Sequence, residues 1–224
     1  MAGIITAMRW QKRNRERVNV YLDGDYAFPL PALVAATLRI GQALTDAEIV
    51  ELQGRDAVQK AYERALRFLG SRPRSVAEVR RLFDQNELPA DALDAVIDRL
   101  LAAGYLDDAA FARYWVSNRE QFRPKSPLAL RQELRQKGVG DADIAEALAT
   151  LNSDDSVYRA GQAQARRLQH ADQPTFRQKL AGHLLRRGFS HEQVWPVVNR
   201  LWAETHPEHE NEDDMTDQDL VMDE

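Results

Sequence analysis

The fold of this chain is decided by the stretch 126-SPLALRQELRQKGVGDADIAEALATL-151, because its apolar pattern occurs three times. A shift of 50 residues aligns it with 176-FRQKLAGHLLRRGFSHEQVWPVVNRL-201, and a shift of 51 residues in the other direction aligns it with 75-SVAEVRRLFDQNELPADALDAVIDRL-100. A pattern that recurs at a fixed period is typical of repeat proteins, in which each copy is one supersecondary unit. The apolar residues that coincide, called here the apolar skeleton, are Val79, Leu130 and Leu180; Phe83, Leu134 and Leu184; Leu88, Val139 and Phe189; Leu93, Ile144 and Val194; Ile97, Leu148 and Val198; and Leu100, Leu151 and Leu201.

Helix-start and helix-stop signals divide each copy of the skeleton into a helix, a short turn and a second helix. In a capping box, a hydroxyl and a carboxylate or amide satisfy free N–H groups of the first helical turn. Three occur, at Thr45 to Glu48, Ser75 to Glu78, and Ser190 to Gln193. Ser126 before a proline is a fourth start, and helix ends are indicated by Gly70, Gly104, Gly138 and Gly188.

A leading helix completes each three-helix unit. These helices align less well than the skeleton and begin near Ala57, Asp108 and Ser156. The pattern predicts about ten helices in all, the longest from Asp46 to Leu69.

Three tandem three-helix repeats are therefore predicted, over residues 45–104, 105–153 and 154–205. A unit of this size buries little surface alone, so we expect neighbours to stack into an extended, curved array. Three compact units on a string are the alternative. Gly182 and Pro196 fall inside predicted helices and suggest that the third repeat is less regular.

The N-terminal residues 1–44 follow a period of two instead. Val18, Val20 and Leu22 alternate with other residues before Asp23-Gly24, and a second alternating run follows. Asp-Gly between such runs is a strong hairpin signal. We predict a small β-hairpin element, with residues 4–8 as a possible third strand and a basic loop before the hairpin.

The formal net charge of the chain is −5, but the charge is unevenly distributed between a basic body and an acidic C-terminal end. Residues 206–224 contain nine acidic residues and no Lys or Arg, which leaves 30 basic against 26 acidic residues in the remainder. Such asymmetry is typical of a polyanion-binding body with a solvated tail. We predict a disordered acidic tail over 206–224, which can compete with DNA for the basic faces.

Composition excludes several classes of protein. The chain has no cysteine, which removes disulfides, zinc–thiolate sites and cysteine nucleophiles. No apolar run approaches the length that crosses a bilayer, and residues 1–18 lack the apolar core of a signal peptide. We expect a cytoplasmic protein, and because no dimerisation element is visible we expect a monomer.

Few residues suggest catalysis or metal binding. Asp107 and Asp108 could hold a metal as two carboxylates; the alternative, which we favour, is a helix N-cap followed by a first-turn acid. His206 and His209 could hold a metal weakly, although both lie in the predicted tail. Phosphate-binding loops and nucleophile-elbow patterns do not occur. The sequence therefore predicts a binding protein without catalytic residues, metal or cofactor.

Basic residues, mostly arginine, accompany every repeat outside the apolar skeleton. One interpretation is that they lie on solvent-exposed helix faces and pair with acidic residues at helical spacing. The other is that they form a surface whose guanidinium groups bind phosphate or carboxylate through two hydrogen bonds each. Many weak phosphate contacts would give salt-sensitive, sequence-independent binding. The candidates in the repeats are Arg72, Arg74, Arg80, Arg81, Arg119, Arg123, Lys125, Arg131, Arg135, Lys137, Arg177, Lys179, Arg186 and Arg187. Those in the N-terminal loop are Lys12, Arg13, Arg15 and Arg17.

Most aromatic residues lie on apolar stripes, which favours a place in the core over base stacking. We expect Tyr114 and Trp10 to be exposed. The predicted core aromatics are Phe68, Phe83, Phe111, Trp115, Phe176, Phe189 and Trp202.

Several motifs, spaced in order over residues 57–203, resemble the RecX family of bacterial recombination regulators. In the first two repeats they are Ala65-Leu-Arg-Phe-Leu69, Arg72, Arg74-Ser75, Glu78-Val79, Leu82, Gly104-Tyr-Leu-Asp-Asp108, Phe111-Ala112, Tyr114 and Glu133-Leu-Arg-Gln-Lys-Gly138-Val139. Arg187-Gly-Phe189 resembles the third-repeat turn, and residues 18–25 and 41–45 resemble an N-terminal extension of some members. The acidic tail and Pro196 depart from the usual pattern.

The resemblance implies a function that the spacing alone does not. RecX proteins bind the RecA recombinase, lie in the groove of its filament on single-stranded DNA, and dampen strand exchange and ATP hydrolysis. The basic residues become candidates for contact with RecA or with single-stranded and possibly double-stranded DNA, without sequence preference. Two other hypotheses stay open: a stand-alone helix-turn-helix-like DNA-binding regulator, and a hydrolase that uses Asp107 and Asp108.

Overall fold

The computed structural model of the chain describes residues 2–83 and 88–207. The predicted acidic tail, apart from His206 and Pro207, lies outside the described residues. The chain divides into two compact units, Met1–Asp107 and Asp108–Glu224. The first contains an N-terminal sheet and the first helical repeat, and the second contains the other two repeats.

The N-terminal element is a four-stranded antiparallel sheet, larger than the predicted hairpin. Its strands are β1 (Gly3–Trp10), β2 (Arg17–Leu22), β3 (Asp25–Pro31) and β4 (Ala43–Leu44), and they lie in the order β3-β2-β1-β4. The turn between β2 and β3 has positive φ at Asp23 and Gly24, as expected of Asp-Gly in a tight hairpin. The Asp23 carboxylate accepts a hydrogen bond from Ile4 N at 3.0 Å, which ties the turn to the first strand.

Four helices complete the described part of the first unit: α1 (Ala32–Ala35), α2 (Asp46–Leu69), α3 (Val76–Arg80) and α4 (Ala90–Ala102). The long α2 starts at the predicted capping box of Thr45, and α3 starts at that of Ser75. The long helix predicted from Asp46 to Leu69 is therefore confirmed. It is the leading helix of the first repeat and begins eleven residues before Ala57, the start that the alignment of the repeats predicts.

The second unit consists of two consecutive three-helix repeats. Ser126, Asn152, Asp172 and Ser190 each accept a backbone N–H bond at a helix start, which explains where four of these helices begin. The helices are α5 (Asp108–Phe122), α6 (Pro127–Gln136), α7 (Asp141–Leu148), α8 (Ser153–Arg167), α9 (Gln173–Leu185) and α10 (His191–Thr205). Within the described residues, every helix is too short or too polar to cross a membrane.

The apolar skeleton forms the centres of three separate hydrophobic clusters, one for each repeat. All of its residues are buried except Leu93 and Leu151, which are partly buried. A fourth cluster lies between the sheet and the start of α2. The three-fold internal repeat read from the sequence is therefore confirmed by burial.

The second and third repeats pack directly on each other inside the second unit. Ser126 N, at the start of α6, donates to Arg187 O at 3.1 Å, just beyond the end of α9. Gly188 has a φ of +87° and allows this approach, because a Cβ there would lie 2.7 Å from Ser126 Oγ and 2.9 Å from Ala129 Cβ. Only glycine fits both the backbone conformation and the space.

The helix α9 passes through Gly182 and α10 passes through Pro196, so neither residue ends a helix of the third repeat. The prediction that this repeat is less regular stays a prediction. His206, which the sequence places at the start of the acidic tail, is the C-cap of α10, and its ring stacks on Trp202 at a centroid distance of 3.6 Å.

Three of the predicted core aromatics, Phe68, Trp115 and Trp202, are only partly buried. The other four are buried, and Tyr114 and Trp10 are exposed as predicted, with 38% and 63% of their surface accessible.

Candidate functional site: the basic surface

The predicted basic residues differ in whether a carboxylate neutralises them. In the first repeat, the Arg72 guanidinium binds the Glu78 carboxylate through two hydrogen bonds of 2.8 and 3.1 Å. Glu78 is 8% exposed and also closes the capping box of Ser75. Arg72 therefore holds the start of α3 in place, and its charge is already balanced.

Arg74 packs beside Arg72 in the loop before α3. Its guanidinium lies over the Phe68 ring at 3.9 Å, and it donates to Ser71 Oγ at 3.1 Å. Burial, together with the charge of Arg72, lowers the pKa of Arg74. The stacked geometry makes Arg74 a packing residue of the loop before α3.

The remaining candidates of the first repeat lie on α3 and its end. Arg80 pairs with Asp94 of α4 at 2.7 Å, with both side chains about half exposed. Arg81 is exposed at the C-cap of α3. An exposed ion pair of this kind contributes little to stability, and it reduces the charge available to an outside anion.

The N-terminal loop contains three exposed cations and one that is not. Lys12, Arg13 and Arg15 are exposed between β1 and β2. Arg17 instead binds Asp56 of α2 at 2.8 Å, with 16% of its side chain exposed. Arg17 therefore links the sheet to the long helix.

Glu133 is the centre of a network in the second repeat. Its carboxylate accepts from Arg119 Nε at 2.9 Å, from Trp115 Nε1 at 2.8 Å and from Lys125 Nζ. Burial alone would raise the pKa of Glu133, but these three donors together hold it below its usual value. Arg119 and Lys137 lie over the Trp115 ring at 4.2 and 5.0 Å.

Two further arginines of the second repeat share one exposed acid. Arg135 pairs with Asp141 at 2.8 Å, and the charge of the exposed Arg131 also helps to lower the pKa of Asp141. Arg123, which follows α5, is exposed. Among the described residues, no carboxylate lies within 4.0 Å of the Arg123 side chain.

The third repeat carries more unpaired charge. Arg177 lies over the exposed Trp195 ring at 5.6 Å, and Lys179 and Arg186 are exposed. Arg187 is partly buried and reaches into the second repeat, where it donates to Pro124 O at 2.9 Å.

His183 lies among these arginines and was not predicted as a site residue. Its Nε2 accepts a hydrogen bond from Arg187 Nε at 3.0 Å, so the ring is neutral in this arrangement. Burial, then the charges of Arg187, Arg186 and Arg167, lower the pKa of His183. Burial and the charge of Arg123 likewise lower the pKa of Arg187.

The structure therefore brings Arg123, Arg186 and Arg187 together with His183 and Arg167. Sequence reasoning missed His183 because a single histidine within a helix has no recognisable spacing partner. The Arg-Arg pair at 186–187 was visible, but its neighbours come from α5 and α8.

The enzyme-like features are placed as follows. Asp108 is the first residue of α5 and Asp107 precedes it, in keeping with a helix start. In the described part of the chain, no group of three His, Asp or Glu side chains is arranged to hold a metal. His209 lies outside the described residues.

The second unit also contains an open groove of about 680 Å³ between α5, α7 and α8. Glu120 and Asp155 line it together with Arg113 and Arg159. Ser156 Oγ donates to Glu120 at 2.8 Å, and Arg159 also binds this carboxylate. Mixed charge in the groove does not favour a polyanion.

Four family models match the chain in order. The model for the N-terminal domain of regulatory protein RecX matches residues 3–45. The models for the first, second and third three-helix domains of RecX match residues 61–100, 107–148 and 153–198.

Relatives of similar length agree with these matches. A regulatory protein RecX of Bacillus subtilis is 34% identical over 94% of this chain and 79% of its own length. One from Levilactobacillus brevis is 38% identical over 89% of this chain and 76% of its own length. Among solved structures, one titled regulatory protein RecX matches with a TM-score of 0.67 and 28% identity, covering 88% of this chain and 99% of that one. RecX from Lactobacillus salivarius, at 23% identity and a TM-score of 0.55, covers 66% of this chain and 97% of that one and supports the fold.

Proposed function

This chain belongs to the RecX family of regulatory proteins, and from that premise we propose that it binds RecA and its filament on single-stranded DNA. Binding modulates the recombinase, mostly by inhibiting strand exchange and the associated ATP hydrolysis. The observation that carries the proposal is the ordered set of four RecX domains over residues 3–198.

The physical properties of the chain support a binding role. Covalently linked repeats can contact several sites on a filament, and linked contacts add through effective concentration even when each is weak. Arg123 and Arg186 of the second unit are exposed and have no ion-pair partner among the described residues, so phosphate or acidic side chains can reach them. RecA acts on chromosomal DNA, so the proposal places the chain in the cytoplasm, as a monomer without a catalytic site of its own.

A stand-alone helix-turn-helix-like regulator is the second candidate, and the short α3 after Arg72 and Arg74 motivates it. The structure weakens the case for this candidate, because Arg72 is bound to Glu78 and Arg80 is bound to Asp94. Arginines that read bases need free guanidinium donors. A selection from random DNA that recovered one strong sequence preference would favour this candidate over a RecA regulator.

ATP hydrolysis by RecA from the same cell tests the main proposal. We expect the chain, at several-fold excess over RecA, to lower the ATPase rate on single-stranded DNA and to shorten filament lifetime. Both should be measured with DNA in excess over both proteins, so that simple coating of DNA cannot explain a lower rate. An unchanged ATPase rate and filament lifetime would reject the proposal.

A further inference from the structure

The ends of three helices in the second unit bring four arginines to one place. Arg123 follows the last residue of α5, Arg167 is the last residue of α8, and Arg186 and Arg187 follow α9. Within residues 2–83 and 88–207, no carboxylate lies within 4.0 Å of any of the four guanidinium groups. This arrangement, called here the arginine cluster, contrasts with the paired arginines of the first repeat.

Hydrogen bonds hold the centre of the arginine cluster in one geometry. Arg187 donates to Pro124 O at 2.9 Å and to His183 Nε2 at 3.0 Å. Its guanidinium therefore lies against the segment that carries Arg123. Arg187 is a positioning residue, because its contacts fix the second repeat against the third.

Gly182 explains how Arg186 joins the cluster. A Cβ at Gly182 would lie 3.3 Å from Arg186 Nη1, so the guanidinium folds back along α9 over the bare backbone, next to His183.

The charges of the cluster act on each other. Besides burial, the charges of Arg187, Arg186 and Arg167 lower the pKa of His183. A hydrogen bond to the Ala160 backbone has the opposite effect and raises this pKa. A helix C-terminus carries roughly half a negative elementary charge. Three such ends offset less than half of four positive charges, so the cluster retains an excess of positive charge.

We propose that the arginine cluster of Arg123, Arg167 and Arg186, with Arg187 held behind them, binds the phosphodiester backbone of single-stranded DNA. The inference rests on the proposed function and gives the DNA contact a place. Phosphate suits the site because it accepts two parallel hydrogen bonds from one guanidinium, and a strand repeats the charge along its length. Because the phosphate groups are the same at every nucleotide, binding through them is independent of sequence.

The double variant Arg123→Ala/Arg186→Ala tests the site. Both side chains are exposed, and within the described part of the chain neither has a hydrogen-bond or ion-pair partner whose loss would disturb the fold. The matched control is Arg80→Ala/Arg135→Ala, which removes the same charge from arginines that pair with Asp94 and Asp141.

Affinity for a fluorescent oligo-dT strand is measured by anisotropy at several salt concentrations. We expect the test variant to bind at least about tenfold more weakly at low salt, with a salt slope reduced by about 1.4, at about 0.7 per lost phosphate contact. The control should stay within about twofold of the unmodified chain, because its cations are already neutralised. Equal losses in the two variants would overturn the proposal.

The His183 imidazole gives a second readout by NMR. Binding of oligo-dT should raise the pKa of His183, because phosphate charge offsets that of Arg167, Arg186 and Arg187. The rise should disappear in the test variant. A pKa that moves with an acidic peptide and not with oligo-dT would assign the cluster to protein and overturn the DNA proposal.

The RecA ATPase assay separates the two proposals. If the unmodified chain has no effect on RecA but the DNA measurements behave as expected, the regulatory function fails and the DNA site stands. If the chain inhibits RecA and the test variant binds oligo-dT like the control, the DNA site fails and the regulatory function stands.

Discussion

At the scale of single residues, the ion pair between Arg17 and Asp56 joins the sheet to the first repeat. Asp56 is 5% exposed, and its Oδ2 also binds Lys60 at 2.8 Å, while its buried Oδ1 has no hydrogen-bond partner among the residues that the structure describes. Burial alone would raise the pKa of Asp56, but hydrogen bonds and charge from Arg17 and Lys60 hold it below its usual value. The buried carboxylate therefore depends on both cations.

Arg17→Ala should destabilise the chain by about 3 kcal/mol, because it leaves a buried carboxylate with one exposed partner. Urea unfolding measures this, with the double variant Arg17→Leu/Asp56→Leu as control. Removing both charges should cost less than removing one. A larger loss in the double variant would show that packing, and not the charge, accounts for the effect.

The same pair predicts how stability depends on pH. Since the folded-state pKa of Asp56 is lowered, its contribution is present above the usual aspartate value of about 4 and is lost as the pH falls through the folded value. Between about pH 5 and about pH 2, the unmodified chain should therefore lose more stability than Arg17→Ala. Equal losses would mean that the pair does not lower the pKa of Asp56.

At the scale of elements, close approach of α8 and α10 defines the third repeat. Gly161 of α8 is buried, and a Cβ there would lie 2.6 Å from Leu201 Cδ1 of α10. Leu201 is 2% exposed and belongs to the apolar skeleton, so it has little room to move. The helices can pack at this distance because the crossing point has no side chain on one of them.

Gly161→Ala should destabilise the third repeat by about 1–3 kcal/mol, the range typical of overpacking in a core. The matched control is Gly54→Ala in α2, where nothing lies within 4 Å of the new Cβ. That change should stabilise the chain by up to about 1 kcal/mol, because it reduces the freedom of the unfolded chain. Thermal unfolding of both variants measures the effects, and stabilisation by both would contradict the packing argument.

At the scale of the whole molecule, the C-terminal segment is acidic whereas the rest of the chain is basic. Residues 208–224 contain nine acidic residues and no Lys or Arg, and they lie outside the described residues. The prediction that this segment competes with DNA for the basic surface therefore stays a prediction. A truncated chain that tests this prediction should retain His206, because the His206 ring stacks on Trp202.

Truncation after Pro207 should strengthen binding to oligo-dT at low salt by several-fold, because a competing polyanion is removed. The gain should shrink as salt is added, since salt screens the competition. Anisotropy of the full-length and truncated chains measures it, and adding residues 208–224 back as a peptide serves as control. Identical affinities at low salt would mean that the tail does not compete.

The repeat, the helix starts and the hairpin turn could all be predicted from the amino-acid sequence. These features depend on local patterns, such as the spacing of Leu130 and Leu134 or the capping box of Ser75. Such patterns can be recognised without knowing which other elements pack against them. The extended, curved shape of the array stays a prediction, because it concerns how the two units are arranged.

Which basic residues lack a carboxylate partner, among those that the structure describes, depends on how the helices pack. Arg72 and Arg187 look alike in sequence, yet one is bound to a carboxylate six residues away and the other to a carbonyl 63 residues away. The partners of a charged side chain come from whichever helices pack beside it, and that packing is set by the buried skeleton. The proposed binding surface therefore depends on tertiary packing, even though every residue in it belongs to a repeat that the sequence predicts.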